Sequence, residues 1–141
     1  MVDEEIITVR NELSELERVG AALERFGEQH GLPTRTVFEL TLALDELLTN
    51  VISYAYDDGA EHGIVVRLRR PPGEVVIELE DDGRAFNPLD VAPPDFDLAM
   101  EDRPIGGLGV HIVRRVSDDL AYERTNGKNR LTLRKAVPAA V

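Results

Sequence analysis

Drawn as a helix, residues 37–55 carry apolar side chains on most of their circumference, with Val37, Phe38, Leu40, Leu44, Leu47, Leu48, Val51 and Ile52 pointing in several directions. A helix with one apolar stripe lies on a surface, whereas one that is apolar nearly all round has to be covered from several sides. This helix is therefore central, and the rest of the chain must be arranged to cover it. The 141 residues suit one compact domain spanning 1–141. A chain of that length buries roughly two-thirds of its unfolded surface and needs no staples.

The flanking segments read as that cover. Residues 6–10 rest on Ile, Thr and Val and suit a short first strand. Ser14 and Glu17 have capping-box spacing ahead of Leu16, Val19, Leu23 and Phe26, an amphipathic helix closed by Gly31. Thr36 and Glu39 repeat that spacing after Pro33, at the start of the central helix, which Asp57-Asp58-Gly59 ends. Residues 64–70 and 75–80 are β-rich runs joined by Pro71-Pro72-Gly73-Glu74, a hairpin. From 87 to 105 periodicity disappears, and four of the eight prolines fall among several acidic residues, which suits a lid over a site. Gly106-Gly107-Leu108-Gly109 then opens a third helix through Val110, Val113, Val116 and Leu120. Strands at 121–125 and 130–136 flank Asn126-Gly127, a strong hairpin signal. The order predicts an α+β two-layer sandwich: a mostly antiparallel mixed sheet with helices on one face.

Charge narrows the function classes. Twenty-seven Asp and Glu against sixteen Lys and Arg give a net charge of −11. Such a balance repels phosphate polyanions, so direct nucleic-acid binding and docking on an anionic membrane are disfavoured. The absence of Cys removes disulfides, thiolate zinc sites and cysteine nucleophiles, and suits a cytoplasmic protein. Met1-Val2-Asp3-Glu4-Glu5 is acidic where a signal peptide is basic, and no apolar run approaches the roughly 18 residues of a membrane span. His30, His62 and His111 are too scattered for a metal site or a catalytic histidine pair. Arg114, Arg115, Lys128, Arg130, Arg134 and Lys135 are the best local patch for an acidic partner, although such residues usually form solvated faces.

Three signals carry chemistry. Glu46 and Asn50 stand four apart on the central helix, so they share a face one turn apart. Asp81-Asp82-Gly83-Arg84-Ala85-Phe86 follows a predicted strand. It is either a plain turn or a site in which Asp81 presents a carboxylate acceptor and Gly83 lets a flat ligand approach the backbone. Gly106, Gly107 and Gly109 precede a helix, where bare amides and the helix dipole favour an anion. The spacing fits neither a dinucleotide fingerprint nor a Walker loop.

The order of these signals resembles the ATP-binding sites of the histidine-kinase, gyrase and heat-shock-chaperone ATPase (GHKL) superfamily. Within it, "ELTLALDELLTNVISYAY", "VVIELEDDGRAF" and "GGLGVHIVRRVSDDLAYE" are similar to the anti-sigma regulatory kinases, a serine-protein-kinase branch. The resemblance implies Glu46 as general base, Asn50 as Mg²⁺ ligand, and Asp81 as acceptor for the adenine amino group. It also implies that Gly83, Phe86, Gly106, Gly107, Leu108 and Gly109 wrap the base and phosphates. Thr132 is implied to share a water with Asp81 and adenine, and Arg103, in the lid, to reach the terminal phosphate. The chain departs from the family's pattern at Val51, Tyr54 and Ala85.

What the resemblance implies is an ATP- or ADP-binding, Mg²⁺-dependent serine/threonine protein kinase. Such a protein phosphorylates an anti-sigma-factor antagonist, controls a sigma factor and forms a homodimer. An acidic chain has to bind a polyanion through metal and backbone amides, which agrees. A nucleotide-gated binding module without useful transfer would need the same pocket. An ATPase with a water nucleophile is the third reading, but a single small domain lacks the transducer domain of larger relatives.

Overall fold

The computed structural model describes residues 4–90 and 107–137. The elements are β1 (Glu4–Arg10), α1 (Leu16–Gln29), α2 (Thr34–Tyr54), β2 (Gly63–Arg69), β3 (Glu74–Asp81), α3 (Gly107–Val116), β4 (Asp119–Thr125) and β5 (Lys128–Ala136). Short 3-10 turns occur at Leu13–Glu15 and Pro88–Asp90. The strands form one sheet in the order β1-β2-β3-β5-β4. Every neighbouring pair is antiparallel, so the α+β architecture is as expected while the sheet, among the described strands, is not mixed.

Alternation along the strands decides which face meets the helices. Ile64, Val66 and Leu68 of β2 and Val75, Ile77 and Leu79 of β3 are at most 2% exposed and belong to the same core as Leu40, Leu44, Leu47, Leu48 and Val51 of α2. Each such side chain contributes roughly 1.5–3 kcal/mol on burial. The central helix is covered less completely than its sequence suggests. Phe38 is 62% and Leu42 38% exposed, one turn apart.

Element ends differ in instructive ways. Neither capping box forms. The backbone at Glu15 precedes α1, and its carboxylate accepts from Arg10 N at 3.0 Å and from Arg18 Nη1 at 2.9 Å. Pro33 precedes α2, so Thr36 is already inside the helix. Leu120, expected on the third helix, lies in β4 because α3 stops at Val116. The hairpin signal is realised: Asn126 and Gly127 have φ of 54° and 76°, the left-handed pair that a two-residue turn requires. Of the segment expected as a lid, Pro88–Asp90 forms a 3-10 turn, and residues 91–105 lie outside the described residues.

On the other sheet face, buried Glu78 pairs with Arg69 at 2.8 Å and Arg130 at 3.1 Å, while Lys128 meets Glu80 at 3.4 Å. Arg134 pairs with Glu74, Lys135 bonds the Val116 carbonyl, and Arg114 bonds the Leu89 carbonyl. The basic residues expected as a patch are thus largely absorbed in internal pairs.

Candidate functional site

The end of β3 meets the end of α2. Asp81, the last residue of β3, is 4% exposed and lies on the helix side of the sheet. Its Oδ1 accepts from Gly83 N at 3.0 Å and from Asn129 Nδ2 at 2.9 Å. Burial pushes the Asp81 carboxyl above its ordinary range, and these two hydrogen bonds pull it back. The neighbouring Asp82 charge adds to the rise, while Arg124 opposes it.

The loop after Asp81 is clamped from three sides. Arg84 N donates to the Ala55 carbonyl at 2.9 Å, and Arg84 Nε to the Tyr54 carbonyl at 2.6 Å. From β4, Arg124 Nη1 donates to the Gly83 carbonyl at 2.7 Å. From β5, Asn129 donates to the Arg84 carbonyl at 2.8 Å and accepts from Phe86 N at 3.2 Å. The Phe86 ring, partly buried, tilts against Tyr54 with centroids 5.8 Å apart.

One side of this loop carries an acidic cluster that the sequence does not announce. His62 stacks on Tyr56 with centroids 4.5 Å apart, and places Nε2 2.8 Å from Asp58 and Nδ1 3.4 Å from Asp82. The bond to Asp58 raises the His62 pKa, and burial drives the Tyr56 hydroxyl well above its usual value. Among the described residues no group of three His, Cys, Asp or Glu is arranged to hold a metal.

Glu46 and Asn50 lie on α2. Asn50 is fully buried, and its Nδ2 donates to the Pro88 carbonyl at 3.3 Å, which ties the 3-10 turn to the helix. Its Oδ1, and Oε1 of Glu46, are buried without a hydrogen-bond partner among the described residues. Burial raises the Glu46 carboxyl above its ordinary range, and hydrogen bonding with Asn50 partly offsets this. Two buried oxygens a turn apart without partners are costly in isolation, by about 1–3 kcal/mol each. They are the donor type that a hard cation takes, so Asn50 fits the Mg²⁺ ligand role that the resemblance implies.

The sequence pattern of the histidine kinase-like ATPase domain matches residues 9–135 of the chain. The chain belongs to this family. Serine/threonine-protein kinase BtrW of Bordetella bronchiseptica is 33% identical over 111 residues, covering 79% of this chain and 78% of BtrW. Serine-protein kinase RsbW of Halalkalibacterium halodurans is 27% identical over 94 residues, covering 63% of this chain and 56% of RsbW. The chain therefore spans little more than half the length of that second relative. Among solved structures, the RsbU and RsbW domains of a Mycobacterium tuberculosis protein superpose with a TM-score of 0.70 at 16% identity, over 96% of this chain and 33% of that one. The SiaB–SiaC complex from Pseudomonas aeruginosa gives 0.58 at 22% identity, over 94% and 89%. At such identities the likeness is one of fold.

Membership in the histidine kinase-like ATPase family implies adenine-nucleotide binding, and one residue expected in that role needs correction. Thr132 pairs with Glu78 in the β3–β5 register, while Asp81 pairs with Asn129. Thr132 thus sits on the outer sheet face with Arg69, Glu78 and Arg130, and cannot share a water with Asp81. Three residues along a strand reverse the face, which is why the assignment fails. A sequence signal for Asn129 did exist: Leu131 and Leu133 are core residues, and 129 has their parity.

Gly83 is also required by packing. A Cβ there would stand 2.5 Å from the Ala55 carbonyl oxygen and 2.8 Å from Ala55 Cβ. Its φ is not in the left-handed region. The glycine therefore allows the loop to pack on the end of α2. Gly107, Leu108 and Gly109 form the first turn of α3, as a helix-start reading requires. Gly106 and Arg103 lie outside the described residues.

Proposed function

We propose that this domain is a serine/threonine protein kinase that transfers phosphate from ATP to an anti-sigma-factor antagonist and thereby controls a sigma factor. The observation that carries the reading is the Glu46 carboxylate: half-buried, with Oε1 lacking a partner among the described residues and its pKa raised, one turn from Asn50. A general base works best with a pKa near operating pH, and desolvation moves a glutamate in that direction. Glu46 would orient an incoming serine or threonine hydroxyl and take its proton. Asp81 would accept from the adenine amino group, and guanine, with an acceptor at that position, would be disfavoured. Asn50 would hold Mg²⁺, which supplies charge neutralisation for the phosphates when bound. The glycine turn at the start of α3 would offer backbone amides to them.

The similarity to BtrW and RsbW, which are named serine/threonine- and serine-protein kinases, supports the transfer reading. The SiaB–SiaC complex, whose fold is similar, supports a protein as partner. A homodimer in the cytoplasm completes the proposal; no helix among the described residues is long and apolar enough to cross a membrane.

The test is transfer of labelled phosphate from ATP to the cognate antagonist, beside a thermal-shift series. Mg-ADP at a hundredfold excess over its Kd should add about 2.7 kcal/mol of stability, and Mg-GDP much less. Equal stabilisation by GDP overturns the adenine assignment. Normal ADP binding without transfer to any antagonist replaces the kinase by a nucleotide-gated binding module.

A further inference from the structure

The Asn129 carboxamide is 2% exposed and uses all its hydrogen-bonding capacity. Nδ2 faces two acceptors, Asp81 Oδ1 at 2.9 Å and the Arg84 carbonyl at 2.8 Å. Oδ1 faces two donors, Phe86 N at 3.2 Å and the Tyr122 hydroxyl. Only one orientation of the amide satisfies this set, since rotating it by half a turn would set donor against donor and acceptor against acceptor. Together with the Gly83 amide it also directs both hydrogen bonds that Asp81 receives from described residues onto a single oxygen, Oδ1. None of these hydrogen bonds falls on Oδ2.

We infer that Asn129 is a positioning residue for the nucleotide base: its amide fixes the Asp81 carboxylate with Oδ2 presented as acceptor. The inference rests on the adenine reading of Asp81 given above and adds how the acceptor is set. No water need stand at Oδ1, because a side-chain donor from β5 already fills that place. Asn129 also favours the ionised form of Asp81, the only form in which both oxygens are acceptors. The other charged or titratable groups facing Asp81 are Asp82, Tyr56 and Arg124; Asp82 raises its carboxyl and Arg124 lowers it, while the Asp81 charge itself raises the Tyr56 hydroxyl.

The Asn129→Asp variant separates positioning from packing. It keeps the size of the side chain and the acceptor for Phe86 N and Tyr122, but replaces the donor to Asp81 by a second carboxylate. Two carboxyls in such contact share a proton, and one of them titrates well above its usual range. In the wild type, ADP affinity should hold at neutral pH and fall in acid as Asp81 protonates. In N129D it should be weakened about 10- to 100-fold near pH 8, the usual loss for a hydrogen bond to a charged group. It should then recover as pH falls toward about 6, when the shared proton restores a donor. Opposite slopes are the expected result.

An equal weakening of N129D at every pH would mean that Asn129 only packs the loop, and would overturn the inference while leaving the adenine reading standing. A wild type that binds no ADP overturns both. Should N129D fail to fold, the wild type itself decides by NMR: the Asn129 side-chain amide protons must shift along the titration of the Asp81 carboxyl. Amide protons that stay unmoved through that titration overturn the inference.

Discussion

The two ends of the site are built on opposite principles. Around Asp81 nearly every polar group is matched: Asn129 makes four hydrogen bonds, and Gly83 is engaged through both its amide and its carbonyl. On α2, Glu46 Oε1 and Asn50 Oδ1 are buried with nothing opposite them among the described residues. A satisfied network holds a fixed shape whether or not a ligand is present. Unmatched buried oxygens hold free energy that a ligand can release. The first arrangement suits recognition of a rigid base, and the second suits a place where charge arrives and chemistry follows.

Substitutions should expose this contrast, the greatest change coming at the unmatched end. Glu46→Gln keeps shape and removes the base, so transfer to an antagonist should fall about 10²- to 10⁴-fold while ADP affinity stays within several-fold. A wild-type transfer rate in this variant would reduce Glu46 to a polar helix residue.

Gly83→Ala is the corresponding change at the matched end. The new methyl meets backbone of Ala55 at 2.5 Å, so chemical denaturation should show a loss of about 1–3 kcal/mol, the usual cost of overpacking. By contrast, Asn50→Leu removes an orphaned acceptor along with a long bond to Pro88. The unfolding free energy of the nucleotide-free protein should change by no more than about 1 kcal/mol, while stabilisation by Mg-ADP disappears. If N50L proves as destabilising as G83A, the two ends do not differ in the way described.

The smallest expected effect concerns pH. Burial raises the Glu46 carboxyl in the folded state, so the folded chain holds that proton more tightly than the unfolded chain does. Stability from this group is therefore present below the ordinary carboxylate range and lost as pH rises through the raised value. Asp45 and Asp81 shift in the same direction, so only a difference measurement isolates Glu46. The melting temperature of E46Q should decline less than that of the wild type between about pH 4 and 7. Parallel curves would show that Glu46 is solvated like a surface residue.

Much of this was legible in the residues themselves. The apolar circumference of α2, the Asn126-Gly127 turn and the alternation in β2 and β3 are local patterns, and local patterns specify elements. The i,i+4 spacing of Glu46 and Asn50 was equally local. What escaped was set by pairing between distant segments. Thr132 is implied beside Asp81 by the resemblance and not by the β3–β5 register, although the parity of Leu131 and Leu133 points to Asn129 as the residue on that face. That the absence of a side chain at Gly83 also lets the end of α2 rest against the loop is invisible locally. His62 appeared isolated for the same reason, its partners Asp58 and Asp82 arriving from both sides of a hairpin. The capping boxes failed in the reverse sense, since Pro33 starts α2 ahead of Thr36.

The contact between Asp81 and Asn129 joins residues 48 apart in the chain, the largest separation among the bonds that organise the base end. The β2–β3 and β4–β5 hairpins have much shorter connections than the β3–β5 seam that joins them into one sheet. Closing a longer loop costs more chain entropy before any contact rewards it, so such a seam tends to form late in folding. The hydrogen bond from Asn129 to Asp81 therefore forms only when the two hairpins have docked. A newly made chain would become able to recognise its nucleotide at the end of folding, so that a half-folded molecule does not compete for the ligand.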